Sequence, residues 1–223
     1  MAPNIVNSGP ATETIMKVGI VGAGAVGAAS LLSLVMRSPP ACEIVVLDKN
    51  NARAKGVVAD LQYGATLSPA VELRAGDYPD LADAVLVIIT AGINERAGGA
   101  TDRGDPAGRL KLLEANANVY RDIVPRIVAV APQAVILVVT DPPDPLADLA
   151  RHLAGHERVL SSGTFLDTLR FRFHLARRGQ SPLSLVLFRF GDGSRLCRAV
   201  WRRVFQECRF LRGLTFLICG SFQ

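Results

Sequence analysis

The chain has 223 residues, 49% of them hydrophobic and 20% charged, which suits a globular protein of one domain and part of a second and excludes a disordered or fibrous polypeptide. Its formal charge of +5 does not mark a nucleic-acid surface, because residues 179–223 hold seven arginines and no lysine against Asp192 and Glu207, leaving the rest of the chain balanced. No nucleic-acid partner is expected. Cys42 stands alone in the body and Cys197, Cys208 and Cys219 in the tail, without a Cys-x-x-Cys pair, so neither zinc nor a disulfide framework is expected and a reducing, cytoplasmic setting is the default.

Residues 1–15 read as a polar N-terminal extension without the basic-then-apolar order of a signal peptide. Lys17–Val21 then reads as a buried strand and Val26–Arg37 as a helix. The uncharged run from Val18 to Met36 is long enough for a membrane span. Four glycines in its first half, each costing a helix about 1 kcal/mol relative to alanine, instead favour punctuation between strand and helix. That punctuation is Gly22-Ala23-Gly24-Ala25-Val26-Gly27, and Asp48 ends the next strand, Glu43–Leu47. In this order Gly22 permits a tight turn, Gly24 lets the backbone approach a pyrophosphate, and Gly27 lets the helix pack on the strand. Asp48 would accept hydrogen bonds from both ribose hydroxyls and repel a 2′-phosphate, so the implied cofactor is NAD rather than NADP.

Farther along, Ala52–Gln62 and Arg109–Val130 read as helices and Ala84–Thr90 and Ala134–Thr140 as strands, followed by a helix from Pro145 to Leu153, a short strand at Val159 and a helix from Phe165 to Arg178. Alternation of this kind predicts an α/β fold, a doubly wound parallel Rossmann sheet with helices on both faces. Ala91–Gly108, with five glycines and one proline, reads as a mobile binding loop. The NAD-binding domain is expected over 16–160, the start of a second domain over 161–178, and a divergent tail over 179–223 in place of the remainder. At Gly179 the composition breaks: six of nine Phe, the only Trp and three of four Cys lie beyond it. Val200, Trp201, Val204, Phe205, Cys208 and Leu211 share one helical face, so the tail could contact an acidic partner or membrane; a changed reading frame or splice explains the break more simply.

These residues resemble the lactate/malate dehydrogenase family from Met16 to Arg178. Lys17–Gly27 is similar to its first strand and turn, Thr90-Ala91-Gly92 to the end of its fourth strand beside the nicotinamide ribose, and Gly108-Arg109-Leu110 to the start of the helix after its substrate loop. Asp141-Pro142-Pro143-Asp144 resembles its Asn-Pro-Val-Asp turn, and Leu166-Asp167-Thr168-Leu169-Arg170-Phe171-Arg172 its Leu-Asp-x-x-Arg-Phe-Arg motif, the most diagnostic of the set. The resemblance implies hydride transfer between NAD and a small 2-hydroxy acid of the L-lactate or malate type, by an enzyme that is homo-oligomeric at full length. It assigns cofactor contacts to Gly22, Gly24, Val26, Gly27, Asp48, Thr90, Ala91 and Gly92, and substrate contacts to Arg109, Asp141 and Arg170. Arg170 would clamp the substrate carboxylate, for which a planar guanidinium is suited. Arg109 would stabilise charge on the reacting oxygen, and Asp167 would orient a catalytic histidine. Taken without the resemblance, Asp167 and Arg170 are equally an i,i+3 helix pair and Arg109 a solvated helix-start residue.

The sequence departs from the family where its histidine belongs. The nearest match to Gly-Glu-His-Gly is Phe188-Arg189-Phe190-Gly191, and the last histidine of the chain is His174. His152, His156 and His174 read as surface or structural residues, so the chain in its present form is expected to be inactive. Asp141 replaces asparagine and would repel a substrate carboxylate. The specificity position falls near Glu95 or Arg96, depending on where the longer loop is inserted, so neither a lactate-like nor a malate-like preference is read from it. A non-catalytic NAD-binding module with a basic partner- or membrane-binding tail is the alternative. A short-chain dehydrogenase is excluded because none of Tyr63, Tyr78 and Tyr120 has a lysine four residues on.

Overall fold

The computed structural model describes residues 16–37, 42–65, 71–98 and 106–177; the expectations for the N-terminal extension, for the part of the loop over 99–105, for Arg178 and for the tail over 179–223 lie outside them. Among the described residues, six strands and five helices are formed in the order β1 (Met16–Val21), α1 (Ala25–Arg37), β2 (Cys42–Leu47), α2 (Asn51–Ala65), β3 (Val71–Ala75), β4 (Leu86–Ile89), α3 (Pro106–Val130), β5 (Val135–Val138), α4 (Pro143–Ala154), β6 (Val159–Ser161) and α5 (Gly163–Arg177). The strands pair in parallel in the order β3-β2-β1-β4-β5-β6. Winding therefore runs outward in both directions from β1. A crevice opens at the C-terminal ends of β1 and β4, where the order reverses.

Alternation along each strand divides the core between the two faces of this sheet. Val18 and Ile20 of β1, Ile44 and Val46 of β2, and Leu86 and Ile88 of β4 pack with Leu31, Leu34 and Val35 of α1 and with Ala54 and Val58 of α2. Val21, Val45, Leu47, Val87, Ile89, Ile136 and Val138 face the other way, toward Tyr120, Val124 and Ile127 of α3 and Leu146 and Ala150 of α4. Strands buried on both faces read as unbroken apolar runs, which is why β1, β2, β4 and β5 stand out in the sequence.

The uncharged run from Val18 to Met36 is divided between β1, the glycine turn and α1, and among the described residues no helix is long and apolar enough to cross a membrane. Two elements go beyond the sequence reading. β3 and a short 3₁₀ turn, Tyr78–Leu81, fill the interval before β4. α3 begins at Pro106 rather than Arg109, because a proline in the first turn has no intrahelical hydrogen bond to lose.

Candidate functional site

The crevice is built from the turn that leaves β1. Gly22 has φ +110, a conformation that side chains other than glycine rarely adopt. A Cβ there would also lie 2.5 Å from the amide nitrogen of Ala91, so the backbones at the exits of β1 and β4 lie in direct contact. Gly27 is tighter still, with a Cβ 1.9 Å from the carbonyl oxygen of Gly22 and 2.9 Å from Thr90 Oγ1. The Thr90 hydroxyl donates to that same Gly22 carbonyl at 2.8 Å. Helix α1, its first turn and β4 are thereby locked into one backbone arrangement.

Gly24 is different. A Cβ at Gly24 meets nothing within 4 Å, so the fold itself does not require glycine here and the space above the turn is open. The amide of Ala28 donates to the Gly24 carbonyl at 2.9 Å, the first bond of α1. The amides of Ala25, Val26 and Gly27 therefore have no acceptor within the helix and, with the helix dipole, favour an anion at this end. Val26 is 54% exposed, beside that opening.

Asp48, at the end of β2, faces the same turn. Its Oδ2 accepts from the amide of Ala23 at 2.8 Å and its Oδ1 from the amide of Asn50 at 2.8 Å. Each carboxylate oxygen keeps a second lone pair for a ribose hydroxyl. A pyrophosphate cradle beside an acidic acceptor, with glycine where a side chain would block approach, fits a dinucleotide. Because Asp48 lies on the β2 side of β1, adenosine would sit over β2, and the other half of the dinucleotide must cross β1 toward Thr90, Ala91 and Gly92 at the exit of β4.

The substrate-side candidates are placed less closely. Asp141 is exposed and joined to Pro142 by a cis peptide bond at the exit of β5. Arg109 lies in the first turn of α3, its side chain outside the described residues. On α5, Arg170 donates to Asp167 at 2.9 Å, and the two side chains are 67% and 75% exposed. They form the i,i+3 helix pair that the spacing alone allowed, and an exposed pair of this kind contributes little to stability. His156 sits apart, after α4, its Nδ1 accepting from the amide of Arg158 at 3.2 Å.

One residue of the crevice escaped the sequence reading. Asn116 of α3 is fully buried, and its carboxamide bonds to the backbone of Ile93 and Asp141. The signal for it was present: Asn116 interrupts an apolar stripe formed by Leu112, Tyr120, Ile123 and Ile127, all buried.

Residues 16–160 match the family model described as the NAD-binding domain of lactate/malate dehydrogenase. This chain belongs to the lactate/malate dehydrogenase family. It is 46% identical over 159 residues to the L-lactate dehydrogenase of Chloroherpeton thalassium, covering 70% of this chain and 49% of that protein. Among solved structures, a minor L-lactate dehydrogenase of Enterococcus mundtii in a ligand-bound form superposes with TM-score 0.67 at 33% identity, covering 79% of this chain and 56% of the other. The malate dehydrogenase of Archaeoglobus fulgidus in complex with NADH gives 0.62 at 30% identity, covering 74% and 54%. The chain spans about half the length of the dehydrogenases it matches. The half it matches is the NAD-binding one, in agreement with the turn, the open Gly24 and the Asp48 acceptor described above.

Proposed function

We propose that this chain binds NAD across β1 and forms the cofactor half of a dehydrogenase acting on a small 2-hydroxy acid of the L-lactate or malate type. The observation that carries the reading is the hydrogen bond from Ala23 to Asp48, which joins the anion-binding turn to the ribose-binding carboxylate in one rigid unit. Gly22, Gly24, Val26 and Gly27 would line the pyrophosphate, Asp48 would hold the adenosine ribose, and Thr90, Ala91 and Gly92 would border the nicotinamide ribose. The nicotinamide, when bound, supplies or takes up the hydride.

On the substrate side, Arg170 would clamp the carboxylate through two parallel N–H bonds after leaving Asp167, an exchange that costs little because the pair is solvated. Arg109 would be carried in by the loop to stabilise charge on the reacting oxygen. Asp141, where relatives of this type hold an asparagine, would accept from a substrate hydroxyl and disfavour an anionic group beside it. Asp167 would orient a proton-transferring imidazole, but Phe190 stands at the matching position and a phenyl ring holds no exchangeable proton. Loss of such a group costs a factor of about 10² to 10⁴ in rate, so this chain by itself binds NAD without turnover. In a full-length form its partners would be the hydroxy or oxo acid and further copies of the chain.

The test is a fluorescence titration with NADH and NADPH, followed by oxidation assays with L-lactate and L-malate. Saturable binding that favours NADH by about tenfold or more, the factor produced by about 1.4 kcal/mol of charge repulsion at Asp48, is expected, with no turnover above background. Absence of NADH binding overturns the cofactor reading. Clear oxidation of either acid overturns the inactivity.

A further inference from the structure

The β4–β5 ladder ends where the amide of Val139 donates to the Ile89 carbonyl at 2.9 Å. Beyond that point no strand pairing holds the two exits together, yet the crevice needs them at a set separation. Two side chains replace the ladder. Thr140 Oγ1 donates to the Ala91 carbonyl at 2.8 Å. Deeper in, Asn116 Oδ1 accepts from the Ile93 amide at 2.6 Å, and its Nδ2 donates to the Ile93 carbonyl at 3.2 Å and to the Asp141 carbonyl at 2.8 Å.

This carboxamide has no solvent exposure, so every bond it makes is formed away from water, where an unmade one would cost about 1–3 kcal/mol. Three bonds reach two segments that are far apart in sequence: the start of the loop after β4, and the residue before Pro142. A carboxylate, hydroxyl or apolar group cannot supply one acceptor and two donors in that geometry. Gly92 packs against the same group, since a Cβ there would lie 2.4 Å from Thr140 Cγ2 and 2.9 Å from Asn116 Oδ1. Asn116 is also two helical turns after Arg109 on α3, so one helix carries both the clamp and the residue that the loop would deliver.

We propose that Asn116 is a positioning residue whose carboxamide sets the width of the crevice between Ile93 and Asp141, holding the nicotinamide-side backbone at a fixed distance from the substrate-facing turn. This rests on the NAD-binding reading. It makes Asn116 act through Ile93 and Asp141, not on the reacting atoms.

The clamp serves only the nicotinamide side of the crevice, and that asymmetry is the test. Asn116→Asp keeps the acceptor for the Ile93 amide but turns an oxygen toward two carbonyls; Asn116→Ser is small enough to fit and too short to reach either. Affinities for NADH and for ADP, which occupies only the adenosine side, are measured on the full chain, together with hydrogen exchange resolved by segment. Both variants are expected to weaken NADH by about tenfold while leaving ADP within about twofold, and to speed exchange over 91–98 and 140–144 but not over β1 and β2. Equal losses for NADH and ADP, unchanged affinities, or lost protection across the whole sheet in both variants would each overturn the proposal. If the unsubstituted chain binds ADP but not NADH, the cofactor reading fails on its own, and the exchange pattern still decides whether Asn116 holds the two segments.

Discussion

The Asp48 carboxylate accepts a hydrogen bond from the amide of Ala23 at 2.8 Å, so the acidic residue at the end of β2 also braces the turn that leaves β1. Asp48 therefore has two separable jobs. Replacing it with alanine should cost about 2 kcal/mol, since a charge-assisted bond to the backbone is lost, and should also abolish the preference for NADH over NADPH. Asn50, whose own amide donates to Asp48, would lose its anchor too. Asp48→Asn keeps an acceptor for Ala23 and should recover most of the stability without the cofactor preference. Urea denaturation of both variants beside nucleotide titrations checks this; equal stability losses would mean that the charge, and not the acceptor, braces the turn.

The glycines of the turn divide just as cleanly. Gly27→Ala drives a methyl into the Gly22 carbonyl at 1.9 Å and should destabilise the chain by about 3 kcal/mol or more, at the upper end of overpacking costs. Gly24→Ala meets nothing within 4 Å and should change stability by less than about 0.5 kcal/mol, while weakening NADH by about tenfold or more, because its methyl would occupy the approach proposed for the pyrophosphate. Thermal melts and NADH titrations on the two variants separate the effects. A Gly24→Ala protein that binds NADH normally would put the pyrophosphate somewhere else.

Legibility followed burial. β1, β2, β4 and β5 are covered on both faces, so their apolar runs and the helices between them announce a doubly wound sheet. β3 did not, because it lies at the sheet edge and carries Glu72 and Arg74. Arg74 is satisfied by Glu43 at 2.8 Å and Asp80 at 2.7 Å, partners that come from β2 and from the 3₁₀ turn, and no local pattern shows such a tie. Asp80 in turn is held below the ordinary carboxylate range by the amide of Asp77 first and by Arg74 second. Asn116 was hidden for a related reason. An asparagine in an amphipathic helix reads as part of the polar face until the strand exits above it are known. The glycine turn, by contrast, is local chemistry, and its spacing to Asp48 is enough to place both at one crevice.

Asp144, the last residue of the Asp-Pro-Pro-Asp turn, ties α4 to the start of α5. Its Oδ1 pairs with the Ser161 hydroxyl, whose oxygen accepts from the Gly163 amide at 3.1 Å, and a Cβ on Gly163 would lie 2.6 Å from the same carboxylate oxygen. α5, which carries Asp167 and Arg170, is thus seated by this contact. Asp144→Ala should raise hydrogen exchange over 159–170 while leaving β1 to β4 protected, at a cost of about 1–2 kcal/mol. Unchanged exchange over that segment would show that α5 is held by other contacts.

His156 makes the pH dependence readable. Burial, and next the charge of Arg158, hold its pKa below the ordinary value of 6.5, and its Nε2 is buried without a hydrogen-bond partner. Because Nδ1 accepts from the Arg158 amide, the neutral ring carries its proton on Nε2; protonation would place a second N–H on Nδ1, against the amide that donates there and close to a guanidinium. Since the folded pKa is the lower one, the unfolded chain takes up the proton first as pH falls. Stability from the neutral ring is therefore full above about pH 6.5 and declines between that value and the folded pKa. His156→Gln removes the titration and should flatten the stability curve in this window while leaving the acid limb below it, where Asp80 and other carboxylates titrate. Urea midpoints taken from pH 8 to pH 5 for both proteins decide it. Parallel curves would mean that His156 titrates alike in both states, and that its neighbours adjust to the charge.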